Sequence, residues 1–172
     1  PAGGSPAKGC FSIICDKLPG EDKGATGRNT MTAVTSVQQN LLRQRVGEAE
    51  WQVRVDLAAA YRLIARNGWD DGIFTHNSSR VPGHNNQFLI NAFGLMFHEI
   101  TASNLVKVDL DGNIVDGDRD NDIIDAGYVI HSAVHQARDD VRAVMHTHTT
   151  AGMAVSAQTG GLLPITQKAM RF

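Results

Sequence analysis

The sequence has little of what would settle function at a glance. It has only two cysteines in 172 residues, Cys10 and Cys15, both near its start. No disulfide framework is implied, and a cytoplasmic protein is expected. Sixteen basic residues stand against 18 acidic ones, for a net charge of -2. That balance gives no electrostatic footprint for nucleic acid or for an acidic membrane surface. No apolar run approaches the roughly 20 residues of a membrane-spanning helix. The single candidate signal core, residues 10–15, is too short for that role. No internal repeat is visible. What remains is a chain of ordinary hydrophobic content, 42%, long enough for one domain with its own core.

Residues 1–35 are rich in Gly, Pro, Ser, Thr and charge, and they carry no lasting periodicity. They read as a flexible tail, with Met31 as a plausible natural start. Residues 36–172 are expected to form the domain. Between residues 48 and 67, Val53, Leu57, Ala60, Tyr61 and Ile64 recur at helical spacing, and Asn67-Gly68 is a stop signal. Strand-like pieces follow at 72–80, 88–91 and 105–110, separated by turn-forming residues. Residues 101–104 read as a single helical turn. A second helix over 126–137 carries an apolar stripe of Ala126, Val129, Ile130, Ala133, Val134 and Ala137, with Asp125 as N-cap. A third helix is expected from a Thr149 or Thr150 cap through Ala157, before Gly160-Gly161. The mixture implies an α/β fold, a three-layer α/β/α sandwich around a mostly antiparallel sheet.

The most informative stretch is His146-Thr147-His148, which ends an alternating run from Val141. On a strand, residues two apart share a face. Two imidazoles so placed can hold one divalent metal, although two ligands are too few for a tight site. The alternative is a pair of half-buried strand histidines bonded to neighbours. His131 and His135 are four apart on the second helix and share a face. Ser132 stands where a metalloprotease helix would carry its glutamate, so interface or surface histidines are the simpler reading. Glu99 and Lys107 read as a solvated pair at element edges.

Several separated segments together resemble the class II aldolase/adducin family. They are Gly68-Trp69, 76–80, 89–97, 99–112, 127–131, 146–149, 154–156 and 162–165. The 101–108 segment is especially similar to adducin heads and their bacterial relatives. The resemblance covers about residue 45 to the end. It implies the class II aldolase sandwich, commonly a tetramer with sites at subunit interfaces. It also implies a divalent ion, most simply zinc, on His146 and His148, with a third histidine from a later strand beyond Phe172. The sequence thus resembles the first two-thirds of a family domain. Asn77 and Ser79 match polar positions of the family's substrate loop, where His76 replaces a glycine. The alternative for that segment is a plain hairpin. Phe93 and Gly94 match a second anion-binding turn, or simply a tight turn needing positive φ at Gly94.

Two departures matter. The family's catalytic glutamate falls at Gly127, and its two phosphate-binding serines fall at Asp125 and Ala126. An aspartate would repel a phosphate. The resemblance therefore implies a metal-dependent lyase or epimerase acting on a small hydroxy-carbonyl substrate through an enediolate, but not a standard phospho-sugar aldolase. Proton transfer would fall to another group, with His131 as the candidate. The rival is a non-catalytic, self-associating module like the adducin head. A homo-oligomer is expected either way. If the sheet is incomplete at Phe172, then Trp51, Met96, Phe97, Leu162 and Leu163 are expected to be under-packed.

Overall fold

The computed structural model describes residues 31–116 and 123–171, with side chains from residue 39 onward. Of the tail expected over residues 1–35, residues 1–30 lie outside the described residues, and the rest of that expectation is corrected. Residues 31–35 are helical, as the start of α1 (Met31–Arg66). This helix is interrupted at Gly47, where φ is +79°. Its second half follows the expected period: Leu57, Tyr61 and Ile64 are buried one helical turn apart. It stops at Gly68, whose φ of +65° an L side chain resists. The Gly68 N–H donates to Ala65 O at 3.0 Å and the Trp69 N–H to Ile64 O at 3.1 Å, which closes the last turn.

Five strands follow: β1 (His76–Arg80), β2 (Gln87–Asn91), β3 (Leu105–Asp109), β4 (Ile114–Asp116) and β5 (Ala143–His146). They lie in the order β4-β3-β2-β1-β5, and every neighbouring pair is antiparallel. The sheet expected to be mostly antiparallel is so throughout. Between β4 and β5, at opposite edges, runs α2 (Asp125–Ala137), and after β5 comes α3 (Thr150–Ser156). Thr149 caps α3 as expected, its Oγ1 accepting from the Gly152 N–H at 3.0 Å.

Alternation along the strands divides the core in two. Leu89 and Leu105 pack with Val81, Phe97, Ile100 and the α1 residues Leu57, Tyr61 and Ile64. Their strand neighbours Phe88, Ile90, Val106 and Val108 face the other way and pack with Ile123 and Tyr128. A helix thus covers each face of the sheet, giving the expected α/β/α layering. Phe97 is fully buried, edge-on to Tyr61 with ring centroids 4.5 Å apart, so it is not under-packed. Leu162 and Leu163 are exposed, and Trp51 and Met96 are half-buried. Glu99 and Lys107 do not pair: Glu99 accepts from the Met96 N–H at 2.8 Å, and Lys107 bonds Glu50 at 2.7 Å. Glu50 also holds the buried Arg54 at 2.9 Å. No described helix is long and apolar enough to cross a membrane.

The second helix corrects the sequence reading. Its apolar stripe points outward: Val129 is 62% exposed, and Ala126, Ala133 and Ala137 are exposed too. Gly127, His131, Ser132 and His135 are buried instead. Asp125 is the first helical residue and not a cap; Ile124 holds the cap position without a side-chain bond. The reason lies in the sheet. Strand β1 presents His76, Ser78 and Arg80 to this helix, and buried polar groups must meet polar groups. Arg80 donates to His135 O at 2.7 Å, Arg138 O at 3.2 Å and Val141 O at 3.3 Å, and also to Asn85 O. A cation on the last carbonyls of a helix is favourable, and here it fixes which face lies down.

On the opposite face, the Tyr61 hydroxyl sits between β1 and β2. It accepts from the Asn77 N–H at 2.9 Å and the Asn91 N–H at 3.2 Å, and it reaches Asn77 O and Asn91 Oδ1. Burial pushes its phenol above the ordinary range, so it stays protonated. Tyr61→Phe strands two buried N–H groups and is expected to lower stability by about 2 kcal/mol or more, as read from urea unfolding.

Candidate functional site

The candidate site forms where the start of β1 meets the ends of β2 and β5. His76 lies opposite His146, and Ser78 opposite Val144. These side chains leave the sheet face that α2 covers. β5 ends at His146, and the His148 N–H donates to Trp69 O at 3.0 Å, which turns its ring back toward His146. The two Nε2 atoms come within 3.1 Å of each other. His148 Nδ1 is 2.8 Å from Asp71 Oδ2, and His146 Nδ1 is 3.0 Å from His76 Nε2.

The contacts continue inward. His76 Nδ1 meets His131 Nε2 at 2.7 Å, His131 Nδ1 meets Ser78 Oγ at 2.5 Å, and Ser78 Oγ meets His135 Nε2 at 2.9 Å. Five imidazoles, one hydroxyl and one carboxylate thus form an unbranched chain from the exposed Asp71 to the buried His135. His76, His131 and His135 are all at most 2% exposed. The reading of His131 and His135 as surface histidines is therefore corrected. They face the sheet because their only polar partners are there. Burial is the main cause that lowers each basicity: His76 to about 4, with further lowering from His146 and His148. His131 falls to about 2, with smaller contributions from His76, His135 and His146. His135 falls to about 4, helped by the Arg80 charge. Burial also lowers His146, and His148 adds to this.

Gly127 explains how His76 fits. A β-carbon built there would lie 2.9 Å from the ring atoms Cγ and Cδ2 of His76 and 2.6 Å from Ile124 Cγ2. The histidine at position 76 and the missing side chain at position 127 are thus one spatial event: the imidazole fills the space next to a position without a side chain.

The other expected substrate residues divide. Phe93 and Gly94 follow β2 at the same sheet end, both exposed, with Gly94 at φ +87°. Asn77 is fully buried, and its Oδ1 accepts from the His146 N–H at 3.2 Å, so it braces β5 and offers no free surface. Ser79 is not at the site. It lies opposite Ala143, on the far part of β1, and its hydroxyl donates to Arg142 O at 3.3 Å. The residues that sequence reasoning passed over as site members are His76, Ser78, His135 and Asp71. The first two repeat the every-other-residue spacing of His146 and His148, which is the one signal that pointed to them.

The convergent Nε2 pair suits a divalent ion. Two imidazole nitrogens on a tetrahedral zinc lie about 3.3 Å apart, given zinc–nitrogen distances of about 2.0–2.1 Å. Each ring also has its other nitrogen engaged, as ligand histidines require. Among the described residues, no group of three or more His, Cys, Asp or Glu is placed to hold a metal.

Residues 55–172 match the family described as class II aldolase and adducin N-terminal domain. A Pseudomonas aeruginosa protein assigned provisionally to aldolase class 2 is 60% identical over 140 residues, covering 81% of this chain and 53% of that protein. Mouse alpha-adducin is 47% identical over 124 residues, covering 72% of this chain and 17% of adducin. The crystal structure of an aldolase II superfamily protein from Pseudomonas syringae superposes with a TM-score of 0.72 at 64% identity, covering 76% of this chain and 52% of that one. The chain spans about half the length of the two bacterial proteins.

Two outcomes are expected from this geometry. Gly127→Ala forces the His76 ring or α2 to move, and should cost about 1–3 kcal/mol, measured by urea unfolding. The second concerns pH. His131 and His135 titrate lower folded than unfolded, so the unfolded state binds more protons below about pH 6.5. Their contribution is fully present above that value and is lost as pH falls toward about 4 for His135 and about 2 for His131. Unfolding free energies at about pH 7.5 and about pH 5.5 should differ by at least roughly 2–3 kcal/mol, since the lowered His76 adds in the same direction. Equal values would contradict neutral burial.

Proposed function

This chain belongs to the class II aldolase and adducin N-terminal family, and from that premise we propose that it carries the ion-holding half of a metal-dependent lyase or epimerase. Its substrate class is a small hydroxy-carbonyl compound. The observation that supports the reading most is the His146–His148 pair, with Nε2 atoms 3.1 Å apart and both Nδ1 atoms held from behind. A divalent ion there, zinc being the simplest choice, supplies Lewis acidity toward a substrate oxygen.

This chain's own residues do the rest. Asp71 and His76 hold the two ligand rings in place, as carboxylate and imidazole partners behind metal-binding histidines do. The Asn77 side chain fixes the β5 backbone at His146. Phe93 and Gly94 border the open end of the sheet, where a substrate would enter. His131, the expected acid or base, is fully buried and both its ring nitrogens are engaged. It acts on the site through His76 and is a positioning residue. The resemblance places the family's glutamate at Gly127, which has no side chain and lies against the His76 ring.

A second reading, a self-associating module as in the adducin head, has its own support in the outward apolar stripe of α2. Val129 at 62% exposure, with Ala126, Ala133 and Ala137, forms a face suited to a second copy. Association and metal chemistry are compatible, so ion content separates the readings. The full-length protein is expected to hold about one divalent ion per subunit by elemental analysis. His146→Ala with His148→Ala should abolish this and leave the fold intact. A folded, metal-free oligomer would favour the module.

Turnover of fuculose-type and rhamnulose-type phosphates is expected to be poor. Gly127→Glu should not restore it, since the new side chain meets the His76 ring and Asp125 still opposes a phosphate. Efficient retro-aldol cleavage by the natural protein in steady-state assays would overturn this.

A further inference from the structure

The hydrogen-bonded chain has a direction, and one end of it sets that direction. A carboxylate only accepts, so His148 must carry its proton on Nδ1, toward Asp71. A neutral His148 then turns a lone pair toward His146 from Nε2. Two lone pairs cannot face each other at 3.1 Å, so His146 carries its proton on Nε2. Its Nδ1 must then accept from His76 Nε2–H. By the same logic His76 Nδ1 accepts from His131 Nε2–H, and His131 Nδ1 accepts from the Ser78 hydroxyl. The Ser78 oxygen accepts from His135 Nε2–H. The last atom, His135 Nδ1, is buried without a hydrogen-bond partner among the described residues. In this arrangement it carries only a lone pair, the less costly state for an unpartnered buried nitrogen.

Capture of an ion by the two Nε2 atoms would reverse every link from His146 inward and leave the His148–Asp71 link as it is. His146 must free Nε2 and keep its proton on Nδ1. His76 must then accept at Nε2 and donate from Nδ1, and His131 must do the same. The Ser78 hydroxyl then donates to His135 Nε2, which leaves the His135 proton on Nδ1. Each bond keeps its hydrogen and exchanges donor for acceptor. One proton leaves His146 Nε2 and one arrives at His135 Nδ1, so the chain's net protonation does not change.

We propose that His146, His76, His131, Ser78 and His135 form one tautomer-coupled relay, through which the state of the His146–His148 pair is transmitted to His135 in the body of the domain. The relay has two discrete states because every member has only two donor–acceptor arrangements. Asp71 favours the one with protons on Nε2, and an ion favours the other. His135 reads the result: only in the ion-bound state does its Nδ1 present a buried N–H without an acceptor. His76 is the coupling residue, and Gly127 leaves it room. The ion-bound state rests on the metal-dependent reading above; the metal-free state does not.

The test is nitrogen-15 NMR of the histidine rings in the full-length protein, at about pH 8, where ordinary imidazoles are neutral. Two-bond correlations report which ring nitrogen carries the proton. Without metal, His146, His76, His131 and His135 are expected as Nε2–H and His148 as Nδ1–H. With one equivalent of zinc, the first four should switch to Nδ1–H while His148 stays. Ser78→Ala should leave the switch of His146 and His76 in place but make the His135 tautomer the same with and without zinc. A metal-free protein with mixed tautomers along the chain would overturn the proposal. So would zinc that shifts His146 and His148 while His131 and His135 keep Nε2–H. If zinc shifts none of the rings, the metal reading and the ion-driven switch both fail. The metal-free pattern would then still decide whether Asp71 sets the direction.

Discussion

Between β1 and α2, three imidazoles lie at 2% exposure or less, and the rest of the site side follows from what that demands. A buried imidazole must be neutral, and a neutral imidazole has one donor and one acceptor to satisfy. His76 and His131 meet this requirement through each other, His146 and Ser78, and His135 meets half of it through Ser78. The helix must therefore turn its polar side to the sheet, even though its apolar residues form the wider stripe. Arg80 holds the end of that helix by its carbonyls. Gly127 lets the His76 ring lie against the helix near its start. Each of these residues would be out of place in an ordinary core, and each is explained by its neighbour.

The sheet separates this polar layer from a conventional apolar one. On the α1 side, Leu57, Tyr61 and Ile64 pack with Leu89, Phe97 and Leu105, and buried charge is confined to the Glu50, Arg54 and Lys107 network. That face supplies rigidity. Its polar exception, the Tyr61 hydroxyl, ties together β1 and β2 at Asn77 and Asn91, next to the candidate site. A site that needs its rings held to within a fraction of an ångström benefits from such a base. The chain of imidazoles is thus braced on one side by a helix end and on the other by a packed sheet.

Much of this was legible in the residues. The period of α1, its stop at Gly68, the Thr149 cap and the His146–His148 pair are local patterns, and local patterns survive folding. The antiparallel layering followed from short strand segments separated by turn chemistry. The α2 face was misread because amphipathicity reports how a helix would bury itself against an apolar partner, and β1 offers a polar one. Ser79 was misplaced for a similar reason, since adjacency in a motif does not keep a side chain at the same end of a strand.

By itself the sequence determined the elements, the family and the His146–His148 pair on one strand face, because each depends on spacing along the chain. Only the tertiary structure decided that His76, Ser78, His131 and His135 continue from them in a single file. Those contacts join residues 53 to 70 positions apart. No spacing rule reaches that far, because the register of β1 against β5 and the seating of α2 by Arg80 arise only when the layers close.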